Sequence, residues 1–206
     1  MPSDLSDKKT KAILALGEYA SFKEALKESD CDRCALWQHR THIVVDRGNP
    51  KAKVLIIGEA PGENEDLKAK AFVGRAGRLL DQMLGELGFD TNREALIANV
   101  VKCRPPKNRA PKPEEAASCL PFLKKQIELV DPRLLVLLGA TALKHILPEN
   151  KGFSMTSQAG RCFQSAIYPG RELMVLFHPA YILRDPRKKP LMAEHLKRLV
   201  EFCVKI

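Results

Sequence analysis

The sequence predicts an α/β fold with a mainly parallel central sheet of four strands. Four short apolar runs, Val54–Ile57, Ala95–Val101, Leu134–Leu138 and Leu173–Phe177, carry almost no polar alternation, which is the pattern of strands buried on both faces. Segments of helical period lie between and around them, so strands alternate with helices along the chain. A chain of 206 residues with 45% hydrophobic content can bury one good core. One domain is therefore expected over residues 1–206, with 1–30 forming an amino-terminal helical extension.

Taken in order, the first segment reads as one or two short amphipathic helices. Ala12, Ile13, Leu14 and Leu16 come first, then Phe22, Ala25 and Leu26 at helical spacing. Cys31-Asp32-Arg33-Cys34 follows. In a reducing compartment such a CxxC is more often a metal or redox motif than a structural disulfide. His39 and His42 stand too close together for the usual zinc-finger spacing, and no βαβ pattern precedes the motif to favour a thioredoxin-like role.

The first apolar run stops in Gly58-Glu59-Ala60-Pro61-Gly62. Glycine and proline impose a tight turn at the carboxyl end of the strand, where open α/β sheets place their ligands. Glu59, Glu65 and Asp66 sit in this turn or just after it; solvated loop acids and a site both fit. Phe72-Val73-Gly74-Arg75-Ala76-Gly77 then leads into a helix with Leu79, Leu80, Met83, Leu84 and Leu87 at helical period. Phe72 is either a core anchor or an aromatic platform.

In the second run Asn99 is the one strongly polar residue. A buried amide must find partners or cost a few kcal/mol, about 1–3, so Asn99 either pins a neighbouring loop or faces a ligand. The basic, proline-stiffened loop Lys102–Arg109 follows, then a helix from Pro113 with Glu114 and Glu115 in its first turn, where the helix dipole favours acids. After the third run, Gly139–Ile146 reads as a helix, and residues 152–170 are turn-rich with a small hairpin near Cys162–Tyr168. The fourth run ends in the loop His178–Asp185, and a last helix covers 191–204.

Three strand ends thus carry the unusual residues, Glu59 to Asp66, Asn99 and His178, and a parallel sheet brings such ends to one edge. Arg75, Arg104, Lys107, Arg109, Arg184, Arg187, Lys188 and Lys189 crowd the same loops, and the net charge is +9. A polar pocket rimmed by cations points to a nucleic acid or nucleotide, since basic surfaces gain affinity by releasing phosphate counterions. No window is long and apolar enough to span a membrane and the amino terminus is polar, so no membrane partner is expected and the cytoplasm is the expected compartment.

These motifs, in this order, resemble the family 4, iron–sulfur uracil-DNA glycosylases: Gly58-Glu59-Ala60-Pro61-Gly62, Glu65-Asp66, Phe72 to Gly77, Asn99 to Pro106, and His178 to Arg184. The resemblance runs from about Cys31 to the end. It implies a three-layer α/β/α sandwich around the four-stranded sheet and an enzyme that flips uracil from single- or double-stranded DNA and hydrolyses its glycosidic bond, leaving an abasic site. By that resemblance Ala60, Phe72 and Asn99 bind the substrate: Phe72 stacks on the base and Asn99 reads its edge. His178 supports uracil O2, and Glu59 or Glu65 handles water or the developing sugar charge. Arg75, Arg104, Tyr181, Leu183 and Arg184 meet the DNA, with Leu183 as the wedge that fills the gap left by the flipped base.

Cys31, Cys34, Cys103 and Cys119 could hold a [4Fe–4S] cluster or a four-cysteine zinc; the resemblance implies the cluster. Cys162 and Cys203 are left over as ordinary thiols. Two departures stand out: Ala69 and Ala71 replace a glycine and a proline usual in the family, and no basic, histidine-containing insertion separates Asp66 from Phe72. The second departure disfavours the relative that traps uracil-DNA covalently. A monomer is expected, with a replication or repair protein as a further partner. The alternative is a catalytically weak or inert iron–sulfur protein that binds DNA or nucleotide on the same scaffold.

Overall fold

The computed structural model describes residues 4–150 and 152–206. Helices α1 (Asp4–Leu14) and α2 (Tyr19–Lys27) open the chain. In α2 the i, i+4 pair Phe22 and Leu26 is fully buried, each such side chain contributing roughly 1.5–3 kcal/mol of transfer free energy. Strands β1 (Arg47–Gly48) and β2 (Val54–Gly58) follow, then α3 (Glu63–Lys68), α4 (Arg75–Gly85), α5 (Thr91–Glu94) and β3 (Ala95–Asn99). The second half runs α6 (Pro113–Val130), β4 (Leu134–Leu138), α7 (Gly139–Ile146), β5 (Cys162–Gln164), β6 (Glu172–Leu176), α8 (Pro179–Arg184) and α9 (Lys189–Cys203).

The sheet order is β1-β3-β2-β4-β6-β5. The inner four strands are parallel, as expected from the four apolar runs. The sheet itself is mixed and six-stranded, because β1 pairs antiparallel to β3 and β5 antiparallel to β6. Neither edge strand carries a strong sequence signal. β1 is two half-buried residues long, and β5 is an exposed, half-buried, exposed triplet. The small hairpin near Cys162 is real only in part: its second arm is β6 itself.

Every residue of β2, β3 and β4 is buried. Side chains alternate between two cores, as the period of two requires. Leu55, Ile57, Leu96, Leu135 and Leu137 pack with Phe22, Phe122 and Leu143 on the side of α2, α6 and α7. Val54, Ile56, Ile97, Val136 and Leu138 pack with Leu80, Leu84, Leu196 and Leu199 on the side of α4 and α9. Helices therefore cover both faces, and the carboxyl ends of the four parallel strands share one edge.

The chain leaves the sheet at that edge in ways the apolar runs do not reveal. The second run extends to Val101, yet β3 ends at Asn99, in register with Gly58. The expected loop after His178 is the short helix α8. Pro179 occupies its first turn, and the His178 Nδ1 accepts a hydrogen bond from the Ala180 N–H at 3.1 Å, a local start signal of the kind helices use.

Candidate active site and cysteine pocket

A cavity of about 330 Å³ opens at the carboxyl edge, lined among others by Ala60, Glu65, Phe72, Asn99, His178 and Leu183. A larger one of about 660 Å³ adjoins it through Ala60, Gly62, His178 and Ala180, and adds Glu59, Tyr181 and Arg184. The sheet thus gathers the three strand ends into one place. Asn99 reaches it from the end of β3, Glu59 from the end of β2, and His178 from the residue pair that follows β6.

Asn99 is 1% exposed, and neither its Oδ1 nor its Nδ2 has a hydrogen-bond partner. Among the described residues no other side chain has two such orphaned atoms. An amide without a protein partner forgoes about 1–3 kcal/mol per group, and both of its polar atoms are available to whatever occupies the cavity. It pins no neighbouring loop through its side chain.

Phe72 closes the opposite side. It is 5% exposed and its ring lies 5.7 Å from that of His178. Its φ of +53° is unusual for a bulky residue; such backbone strain persists only where surrounding structure enforces it. Two glycines do the enforcing. A Cβ on Gly77 would fall 1.8 Å from the Phe72 carbonyl oxygen, and one on Gly58 would fall 2.5 Å from both the Phe72 ring and Asn99 Oδ1. Gly58 is therefore more than a turn former. It makes room for the Phe72 ring and the Asn99 amide, which come together there and line the same cavity, a role that only the tertiary contact reveals.

The carboxylates divide sharply. Asp66 is buried and accepts from the N–H groups of Thr41 and His42, so it braces the segment after the CxxC. Glu65 accepts from Gly62 N–H at 3.2 Å and Gly74 N–H at 2.5 Å, tying the start of α3 to the start of α4. Glu59 is half-buried and lines the larger cavity, and its carboxylate takes no hydrogen bond from the described residues. Burial, reinforced by the Arg184 charge, pushes the His178 pKa down to about 4. The imidazole is neutral at pH 7. With Nδ1 accepting from Ala180, the ring proton resides on Nε2, which can donate.

The cationic residues sort in the same way. Arg75 and Arg184 are exposed at the cavity mouths, and Leu183 is exposed at 37% beside them. Tyr181 is half-buried and its ring contacts Phe177 at 5.6 Å. Arg104 is engaged, pairing with Glu63 at 3.3 Å and Asn108 at 2.8 Å. Arg109 is clamped in a fork by Glu115 at 2.7 and 2.8 Å.

On the α2–α6 side of the sheet, Cys31, Cys34, Cys103 and Cys119 line one small pocket with Leu26, Ile43 and Phe122. The Lys102 N–H donates to Cys119 Sγ at 3.3 Å and Arg40 donates to Cys103 Sγ at 3.5 Å, the polar contacts that thiolates require. Burial pushes the thiols of Cys34, Cys103 and Cys119 up, Cys103 to about 11 and Cys119 further, so ligation there must displace protons. Among the described residues, no three or more His, Cys, Asp or Glu side chains are arranged to hold a metal ion. Cys162 and Cys203 lie outside this pocket.

Residues 45–201 match the model of the uracil DNA glycosylase superfamily. The chain is 40% identical to a type-4 uracil-DNA glycosylase of Sulfurisphaera tokodaii, over 88% of this chain and 84% of that one. It is 44% identical to one of Thermotoga maritima, over 75% and 79%, and 40% identical to one of Pyrobaculum aerophilum, over 84% and 88%. With its parallel inner strands, its strand-end cavity and these relatives, the chain belongs to the uracil DNA glycosylase superfamily, among the type-4 uracil-DNA glycosylases.

Proposed function

We propose that the chain removes uracil from DNA by hydrolysing its N-glycosidic bond, with Asn99, Phe72, His178 and Glu59 as the working residues. The observation that supports this reading is the bare Asn99 amide lining one cavity with Phe72 and His178. One donor and one acceptor match uracil O4 and N3–H. Cytosine presents the reverse pattern and would leave both sides unpaired, a mismatch that gives large discrimination. An inert DNA binder has no use for a buried amide kept unsatisfied at a cost in stability.

Phe72 offers a ring face for the flipped base. The Nε2–H of neutral His178 donates to uracil O2 as negative charge builds on the departing base, in the manner of an oxyanion hole. Glu59, whose carboxylate takes no hydrogen bond from the described residues, orients the attacking water or balances the positive charge on the sugar. Glu65 has its carboxylate committed to two backbone N–H groups, which favours Glu59 for that task. The bond from the base nitrogen to the sugar breaks, water oxygen joins the sugar carbon, and the base leaves as an anion that later takes a proton. Ala60, shared by both cavities, borders base and sugar. Arg75 and Arg184 grip phosphates beside Tyr181 and Leu183, while Arg104 acts mainly as a brace.

The four cysteines suit a [4Fe–4S] cluster: they line one pocket, and Cys103 and Cys119 receive N–H donors at sulfur. When bound, the cluster supplies a structural cross-link between residues 31–34 and the loop after β3. Uracil-containing single- and double-stranded oligonucleotides should be cleaved to abasic products, with hypoxanthine and thymine-mismatch duplexes as comparators. No cleavage of any uracil substrate by iron-loaded protein would overturn the reading. Anaerobically prepared protein should be brown and contain iron and sulfide; a colourless protein with stoichiometric zinc would overturn the cluster assignment.

A further inference from the structure

Three residues beyond Asn99, Lys102 is 1% exposed, among the largest fully buried side chains of the chain. A lysine that deep is rare unless its ammonium is paired. Its Nζ donates to the backbone carbonyl of Asn99 at 2.8 Å and to Gln126 Oε1. Gln126, also buried, donates in turn to the Tyr19 hydroxyl at 2.9 Å and the Val45 carbonyl at 3.3 Å. Tyr19 donates to Asp46 at 2.6 Å, and Lys23 reaches the other oxygen of Asp46 at 2.6 Å. The chain of contacts thus runs from α2, through α6, to the last residue of β3. Asn99 needs such a hold. Past it the next two amides bond back to Gly58 and Glu59, and its carbonyl, on the other side, has left the strand ladder. Its side chain has no protein partner to set its angle.

We propose that Lys102 is a positioning residue for Asn99. Its buried ammonium fastens the Asn99 peptide, so that the bare amide meets the base edge at one fixed angle. The Tyr19–Gln126–Asp46 contacts hold the ammonium in turn and make α2 part of the base-reading apparatus. The proposal rests on the reading of Asn99 as the base reader. It treats the Lys102 side chain as acting through Asn99 alone, although the backbone N–H of the same residue touches Cys119.

A double-mutant cycle in single-turnover cleavage tests this, with cluster absorbance and iron content followed in every variant. Lys102→Met keeps the stem and removes the ammonium. It should lower the cleavage rate roughly tenfold to a hundredfold, the scale of a small misplacement at a reacting centre, with KM within about twofold and a narrowed preference for uracil over cytosine. In an Asn99→Ala background the same change should cost less than about threefold, because the group it positions is gone. A tenfold or larger loss that persists in that background, or a loss confined to KM, would overturn the proposal. Tyr19→Phe loosens the outer link and leaves Lys102 in place, so it carries the test if Lys102→Met loses its cluster. A loss of about two- to fivefold that vanishes with Asn99→Ala supports the linkage, and an undiminished or absent loss contradicts it. Asn99→Ala with an undiminished rate would instead strike the base-reading role itself, which separates the two failures.

Discussion

Asn99 and Lys102 lie three residues apart, are equally buried, and are treated in opposite ways by the fold. Every polar atom of the Lys102 side chain that the core encloses is directed at an acceptor, the Asn99 carbonyl and Gln126. Both polar atoms of the Asn99 side chain are left bare. The same contrast separates Glu65, held by two backbone N–H groups, from Glu59, whose carboxylate takes no hydrogen bond from the described residues at the cavity wall. A satisfied buried group belongs to the architecture, whereas an unsatisfied one at a cavity wall is a place kept for a ligand.

That contrast makes its largest prediction at Asn99. Asn99→Ala should leave the fold and cluster colour intact while costing roughly 2–4 kcal/mol of transition-state stabilisation, read from single-turnover rates. A thermal melt lowered by many degrees alongside the rate would mean that Asn99 serves the core after all.

The two glutamates should divide in the same direction. Glu59→Gln is expected to slow cleavage about a hundredfold, the lower end of the range for a positioned acid or base, with little change in melting temperature. Glu65→Gln should lose stability by about 1 kcal/mol, because a neutral amide oxygen is the weaker acceptor for the two N–H groups, and should lose less rate than Glu59→Gln. Reversed ranks in paired rate and melting measurements would exchange their roles.

Leu183→Ala should show a smaller, substrate-dependent effect. Only a duplex has a stack to fill after a base leaves it, and unstacking costs a few kcal/mol. Cleavage of duplex uracil should fall about three- to tenfold more than cleavage of single-stranded uracil. Equal losses would remove the wedge assignment.

The smallest effect is expected from pH. His178 is held at a pKa of about 4 against its ordinary 6.5. Between those values the unfolded chain takes up a proton that the folded chain refuses, so this residue's contribution to stability is fully present above 6.5 and is lost as pH falls toward 4. Across the same window the imidazole of the folded enzyme stays neutral. The rate profile between pH 5 and 8, measured in single turnover, should therefore lack a histidine break near 6.5. A break there that disappears in His178→Ala would show an imidazolium at work instead.

Much of this site was legible in the chain. Asn99 stood out as the lone amide in an apolar run, and Glu59, Phe72 and His178 stood at the ends of such runs or beside glycines. Those signals are local, since strand period, glycine placement and turn chemistry all act over a few residues. Lys102, by contrast, read as one more cation of a basic loop, and Gly58 as a turn former. Their surroundings come from α6 and from Phe72, which are distant in sequence.

Hydrophobic period and parallel topology suffice for four doubly buried strands, the helices that cover them, and the meeting of the unusual residues at one sheet edge, so those follow from the chain directly. Which of these polar groups the protein completes and which it leaves open depends on how distant segments pack. The same packing sets the two short antiparallel edges, the turn of His178–Asp185 into a helix, and the hold of two backbone N–H groups on the Glu65 carboxylate. Hydrogen-bond satisfaction depends on which backbone groups arrive within about 3 Å of a side chain, and residues far apart in the chain, from Gly62 to Gly74 and from Tyr19 to Gln126, determine that together.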